Sequence, residues 1–247
     1  MGCPVDLFAF PPLALLLDLT TRALLALTSF LEPLTGGLAA AVAVVVVTLA
    51  VRVLLVPVGV SQARAEQTRA RLAPRLRTLQ KRWAKNRERL QRETMQLYRD
   101  EGASPFAGCL PVLAQAPVVG LLYAVFLHPQ VGGHVNTLLE YDVLGAPLGR
   151  SLVGALSTGT ADATTLAVFA VLVAVIAGVA ELTRRLLRPA VDPSAPAWTT
   201  GMVGILPFTT ACVALFVPLA AGLYLTVTTA WTLCQRLLLR RRYPLPR

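Results

Sequence analysis

This sequence of 247 residues is poor in the side chains that carry most catalysis and metal binding, with 13 acidic residues, four cysteines and two histidines. The cysteines are isolated from one another, so the paired spacing that builds zinc or haem sites is missing. His128 and His134 have no cysteine or carboxylate neighbours that would complete a metal site. The sequence also has no glycine-rich phosphate loop and no helix that carries a nucleophile with its base. We therefore expect no catalytic residues, no metal, no cofactor and no enzymatic activity.

What the chain has in abundance is apolar surface, since 55% of its residues are hydrophobic and only 15% are charged. The apolar residues gather into blocks of bilayer length and do not form the stripes of amphipathic soluble helices. This pattern is typical of an integral membrane protein. We expect an all-α, polytopic fold with five core transmembrane helices, an N-terminal interfacial helix and a cytoplasmic helical hairpin.

The basic residues are concentrated in a few connections between the apolar blocks. Of the 23 lysines and arginines, 12 fall between residues 61 and 104, and others cluster in 184–188 and 236–247. Such alternation of basic and nearly base-free connections is the positive-inside bias of a membrane protein. We therefore interpret the net charge of +10 as a membrane signal, not as a DNA-binding one, and place the basic segments in the cytoplasm.

The expected organisation follows from these two patterns. Residues 1–34 should lie outside, with an interfacial helix in which Asp18 and Arg22 stand four apart. The predicted spans are 35–60, 105–127, 164–183, 199–216 and 218–238. The predicted connections are the cytoplasmic hairpin 61–104, an exterior loop 128–163, a cytoplasmic loop 184–198 and a cytoplasmic basic tail 239–247.

The basic hairpin is a candidate contact surface for a client or a ribosome. Its tip region carries six cations that we single out: Arg75, Arg77, Lys81, Arg82, Lys85 and Arg87. A solvated helix face is the simplest interpretation of such a run. Anionic lipid headgroups, ribosomal RNA or a partner protein are the alternatives.

Arg52 is the most informative single residue, because it lies inside the first predicted span. An arginine at the centre of a membrane helix costs about 2.5–3.5 kcal/mol on insertion scales, so such residues generally mark a function. Snorkelling to the inner interface and pairing with a buried carbonyl are structural alternatives. A functional alternative is a small solute transporter or channel in which Arg52 binds an anion.

Two stretches resemble a known family. The segment LYRDEGASPFAGCLPVLAQAPVVGLLYAVF (97–126) and the C-terminal GLYLTVTTAWTLCQRLLLRR (222–241) follow an intramembrane arginine and a basic hairpin. Together they resemble the YidC/Oxa/Alb family of membrane protein insertases, in the Gram-positive or actinobacterial form without a large periplasmic domain.

The resemblance implies a hydrophilic groove among the core helices, open to the cytoplasm and to lipid. Arg52 matches the groove arginine of the family, and Gln115, Thr229 and Thr48 are lesser groove candidates. The implied function is insertion of nascent membrane proteins into the bacterial plasma membrane without nucleotide hydrolysis. Nascent clients are the implied partners, and the ribosome and a Sec translocon are candidate ones. The chain would then have its N-terminus outside and its C-terminus in the cytoplasm.

Overall fold

A computed structural model describes the backbone of residues 11–102, 120–121, 124–126, 130–131, 134–187 and 204–244. Most of the predicted span 105–127, including Gln115, and most of the predicted loop 184–198 lie outside these residues. The helices are α1 (Pro11–Thr35), α2 (Ala39–Leu54), α3 (Val56–Arg82), α4 (Arg87–Asp100), α5 (Leu152–Ser157), α6 (Ala163–Leu186), α7 (Thr209–Phe216) and α8 (Leu219–Arg242). Four two-residue strands, β1 (Gln130–Val131), β2 (His134–Val135), β3 (Asp142–Val143) and β4 (Ala146–Pro147), pair as two antiparallel ladders.

The helix ends are set by short-range signals in the sequence. Asn86 caps α4 by accepting a hydrogen bond from the Arg89 amide at 3.0 Å, and Asp162 caps α6 in the same way through Thr165 at 2.9 Å. At the other end of α4, Gly102 has φ +59°, a left-handed conformation that glycine adopts without steric cost. The mostly helical architecture agrees with the expected fold class.

The chain divides into two compact units. Unit 1 comprises Met1–Arg52 and Val118–Leu233, and unit 2 comprises Val53–Pro117 and Cys234–Arg247. In unit 1 the core includes Phe169, Leu172 and Ile176, which recur at helical spacing on α6. Leu219 and Tyr224 from α8 belong to the same core. The helix α6 therefore buries one face and leaves the opposite, apolar face exposed.

The segment 134–160 was expected to be a weakly patterned loop, but the structure gives it defined elements. Strands β3 and β4 are joined by Leu144 and Gly145, both with positive φ (53° and 90°), as a two-residue hairpin turn requires. The carbonyl of Arg150 then accepts a hydrogen bond from the Leu219 amide at 2.9 Å. The carbonyl of Leu148 accepts one from Ala220 at 3.1 Å. This segment thus caps the first turn of α8, which has no side-chain cap of its own.

Unit 2 is built on the pair α3 and α4, which is called the basic helix pair below. The helix α2 ends at Leu54, a turn follows at Leu55, and Pro57 occupies the first turn of α3, where proline is tolerated. The helix α3 then runs for 27 residues and begins before residue 61, the expected start of the hairpin. A turn at 83–86 leads to α4, and Leu72 is buried on α3.

Within the described residues, two helical segments are long and apolar enough to cross a membrane: Leu17–Leu54, of 38 residues, and Ala163–Leu186, of 24 residues. The helix α8, expected as the fifth span, is long enough but more polar, because four threonines and Gln235 interrupt its apolar residues. The expected number of five spans therefore stays a prediction.

Candidate functional site

Arg52 lies in the last turn of α2 and continues the buried face of that helix. Ala40, Val44 and Thr48 precede it at intervals of four residues, and all three are buried. Arg52 itself is half-buried. A cation in the last turn of a helix also interacts favourably with the partial negative charge of the free carbonyls there. The charge is therefore placed where an apolar, packed helix face ends.

Thr48 is buried one turn before Arg52, and its hydroxyl is already engaged. The Thr48 Oγ1 donates a hydrogen bond to the Val44 carbonyl at 2.6 Å, within the same helix. This bond satisfies the hydroxyl in an apolar environment. Thr48 therefore lies one turn from Arg52 on the same helix face. Its hydroxyl proton, however, is donated to a carbonyl of α2 itself.

The helix α8 supplies the polar group that interacts with Arg52. Tyr224, only 4% exposed, lies close enough to interact electrostatically with the guanidinium. One turn further along α8, Thr228 is buried and its hydroxyl has no hydrogen-bond partner among the described residues. A buried hydroxyl without a partner costs free energy, which favours a polar group or water beside it. Arg52, Tyr224 and Thr228 all belong to unit 1.

The threonine singled out from the sequence is the neighbour of the buried one. Thr229 is half-buried, and its hydroxyl donates to the Thr226 carbonyl of its own helix at 3.0 Å. Tyr224 and Thr228 were missed: their spacing of four residues places them on one helix face, but the sequence does not show that this face is buried. Gln115, the remaining groove candidate, lies outside the described residues.

The six cations predicted as a contact surface fall into distinct environments. Arg75 shares the carboxylate of Glu101 with Arg71: its Nη1 lies 2.5 Å from Oε1, and the other oxygen accepts from Arg71 at 2.9 Å. Arg77 is half-buried. Arg82 lies over the ring of Trp83 at 5.4 Å from its centroid, within cation–π range.

The remaining three, Lys81, Lys85 and Arg87, are exposed, and the described part of the chain offers them no ion pair. Arg89 also approaches Trp83, with its Cζ 4.1 Å from the ring centroid. We call residues 81–89 the basic tip. The nearest acidic residue, Glu88, is paired with Arg92 of the same helix.

Among the other described acidic residues of the basic helix pair, Glu93 lies 4.0 Å from Arg89 of the tip, and two more form ion pairs away from the tip. Glu101 binds Arg71 and Arg75, and Glu66 lies 3.6 Å from Arg240. The tip is consequently left with exposed positive charge around one aromatic ring. In the described part of the chain no group of three or more histidine, cysteine or acidic residues could hold a metal ion.

Comparison with known proteins places these features in context. A family model described as "60Kd inner membrane protein" matches residues 30–245. A membrane protein insertase YidC of Oceanobacillus iheyensis is 36% identical over 97 residues, which cover 37% of this chain and 38% of that protein. The protein of the same name from Clostridium perfringens is 32% identical over 115 residues, covering 47% and 48%.

A longer alignment extends along most of the chain. The membrane protein insertase YidC of Streptomyces avermitilis is 25% identical over 227 residues, covering 85% of this chain and 53% of that protein. In these three alignments the chain spans about half the length of the curated relatives, or less.

Proposed function

Since this chain belongs to the 60Kd inner membrane protein family, and is therefore a cell membrane protein, we propose that it is a membrane protein insertase. It would receive new membrane proteins and release their transmembrane segments into lipid without nucleotide hydrolysis. The observation that carries this proposal is the half-buried Arg52 at the end of a packed apolar helix face. A charge in that position is costly unless water or a passing polar group compensates it.

Arg52 would act as a transient attraction point for the acidic or polar part of a client. Two opposite charges 4 Å apart attract by about 4 kcal/mol at an effective dielectric of 20, and by about 1 kcal/mol in bulk water. Half-burial places Arg52 between these limits. The phenol of Tyr224 lies within electrostatic range of the charge. One turn along α8 from Tyr224, the buried hydroxyl of Thr228 has no hydrogen-bond partner among the described residues. Thr48, Thr229 and Gln115 are proposed as secondary groove residues.

Release of the client needs no energy source beyond the lipid itself. Transfer of apolar surface out of water contributes about 25 cal/mol per Å². A client segment that leaves a hydrated groove for the bilayer therefore moves down its own free-energy gradient. The attraction to Arg52 must be weak enough to be lost at this step, which a half-exposed charge allows.

The orientation and partners follow from the distribution of charge. We propose five spans with the N-terminus outside and with segments 61–104, 184–198 and 239–247 in the cytoplasm, by the positive-inside rule. The basic tip, with Lys81, Lys85 and Arg87 exposed, would meet anionic lipid headgroups or the ribosome that delivers the client. A Sec translocon is a further candidate partner.

The test is insertion of a single-span client with an acidic exterior tail into liposomes that contain the purified protein. Arg52→Ala should slow insertion about 5- to 30-fold, the equivalent of about 1–2 kcal/mol of lost attraction. Arg52→Glu should be at least as impaired, whereas Arg52→Lys keeps the charge and should stay within a few-fold of the native chain. Thr232→Ala is the matched control, because Thr232 is not a proposed groove residue and its hydroxyl donates to the Thr228 carbonyl of the same helix at 2.7 Å.

A second client whose tail lacks acidic residues separates attraction from general damage. Its insertion should depend much less on Arg52. Full insertion of the acidic client by Arg52→Ala would rule out the proposed role of the charge. Arg52-dependent flux of a small anion, without insertion, would instead favour a transporter.

A further inference from the structure

The last turns of α8 lie against the first half of α3, although the two segments are far apart in the sequence. The contacts involve residues 59–67 of α3 and residues 235–244 at the end of α8, all within unit 2. We call residues 235–244 the strap. Its contacts form two groups, a packed one at Gly59 and a polar one further along α3.

The packed contact is made by Gln235 against Gly59. Gly59 is buried, and a methyl group built on its Cα would overlap the side-chain amide of Gln235. A glycine at this position therefore lets the amide approach the α3 backbone directly. The Gly59 amide donates to the Leu55 carbonyl at 3.1 Å, so the contact lies at the start of α3, just after the turn.

The polar contacts continue along α3 for two more turns. Arg64 donates from Nε and Nη2 to the Tyr243 hydroxyl at 3.4 and 3.3 Å, and its guanidinium lies 5.6 Å from the centroid of that ring. Gln67 donates from Nε2 to the Pro244 carbonyl at 3.1 Å. Arg240 lies 3.6 Å from Glu66. These groups are largely exposed, so each contact is individually weak.

The strap adds a noncovalent contact to the covalent connection between α2 and α3. The direct connection to α2 is interrupted by the turn at Leu55. The helix α8, by contrast, is unbroken from Leu219 to Arg242 and contributes to both units. The strap therefore ties α3 to a helix that is continuous back to Leu219.

We propose that residues 235–244 act as an intramolecular strap that fixes α3 to α8, so that a client bound at the basic helix pair acts on the helix that carries Tyr224. The existence of the strap is independent of the proposed insertase function. Its effect on a bound client rests on that function. Gly59 and Gln235 are then positioning residues, and Arg64, Gln67 and Tyr243 form a contact that can open.

Spin-label distances test the strap in the full chain in liposomes. Labels replace the exposed Gln80 on α3 and Arg241 on α8, with the native cysteines changed to serine. The native chain should give one narrow distance distribution. Tyr243→Ala should raise the population outside that peak about fivefold, because it removes an exposed polar contact and a cation–π contact. Arg242→Ala, an adjacent exposed residue without a contact in the described structure, should leave it unchanged.

The Gly59 contact is tested by a double-mutant cycle. Gly59→Ala should broaden the distribution, because the Gln235 amide must move. In a Gln235→Ala background the same substitution should have no further effect, because the clash is gone. Unchanged distributions in both Gly59→Ala and Tyr243→Ala, or equal effects of Gly59→Ala in both backgrounds, would overturn the strap.

Client insertion by the same variants tests the consequence. Insertion should fall in Tyr243→Ala and Gly59→Ala and remain normal in Arg242→Ala. A broadened distance distribution with unchanged insertion would overturn the coupling to clients. If the native chain inserts no client, the proposed function fails, while the distance measurements still decide whether the strap exists.

Discussion

Replacing Glu101 with glutamine should loosen α4 from α3, because this one carboxylate binds two arginines of α3. Arg71 and Arg75 lie 2.9 and 2.5 Å from its two oxygens. The arginine side chains are 65% exposed, whereas that of Glu101 is only 24% exposed. Exposed ion pairs contribute about 0.2–1 kcal/mol each. Two of them on a partly covered carboxylate should contribute about 1–2 kcal/mol together.

Amide hydrogen exchange of the last turn of α4 measures this loss directly. There the Glu101 amide donates to the Leu97 carbonyl and the Gly102 amide to that of Arg99, at 3.2 and 3.0 Å. A loss of about 1–2 kcal/mol corresponds to exchange about 5- to 30-fold faster if the turn opens locally before it exchanges. Asp100→Asn is the matched control, since the neighbouring Asp100 is exposed and has no ion pair in the described structure.

Salt separates an ionic effect from a packing effect. At 1 M salt the screening length is about 3 Å, so the difference between the native chain and Glu101→Gln should shrink. The reasoning fails if Glu101→Gln exchanges no faster than Asp100→Asn. It also fails if the difference persists undiminished at 1 M salt.

Two further predictions concern unit 1. Asn136 is buried and donates from Nδ2 to the Val125 carbonyl, so Asn136→Ala should destabilise the protein by about 1–3 kcal/mol, seen as a lower unfolding temperature in detergent. A variant as stable as the native chain would contradict this. Hydrogen bonds from the side chain and amide of Thr165 lower the pKa of Asp162. The cap should therefore be fully formed above the ordinary carboxyl pKa and be lost as pH falls through the lowered one, so that exchange at Thr165, corrected for intrinsic rates, accelerates only in acid. Asp162→Asn should abolish this acid dependence while still capping the helix.

The features that sequence alone predicted are those encoded within a few residues. Gly102 follows the end of α4 with a φ of +59°, a conformation that glycine adopts without steric cost, so this signal lies in a single residue. Asp18 and Arg22, four residues apart on α1, form an ion pair at 2.9 Å, which their spacing on a helix permits. The helix α6 begins at Ala163, close to the expected start of the third span, because an apolar block and a capping aspartate coincide there.

The features that sequence could not predict depend on contacts between distant segments. Nothing local to Gly59 indicates that its missing side chain is replaced by the amide of Gln235. Similarly, Thr228 and Thr229 are adjacent threonines that the sequence does not distinguish. The orientation of α8 against its neighbours buries Thr228 and leaves Thr229 half-buried. The sequence shows that Arg75 carries a positive charge. Its ion pair with Glu101 forms only because α4 packs back along α3.

The backbone bonds from Leu219 and Ala220 to the carbonyls of Arg150 and Leu148 have a consequence for biogenesis. During synthesis, the residues with the accepting carbonyls are made before the residues with the donating amides. The acceptors are therefore already present when α8 emerges from the ribosome. Its first turn is completed only after that earlier segment has reached its final place. Misplacement of the middle of the chain during synthesis would therefore leave two backbone amides in the first turn of α8 without their acceptors.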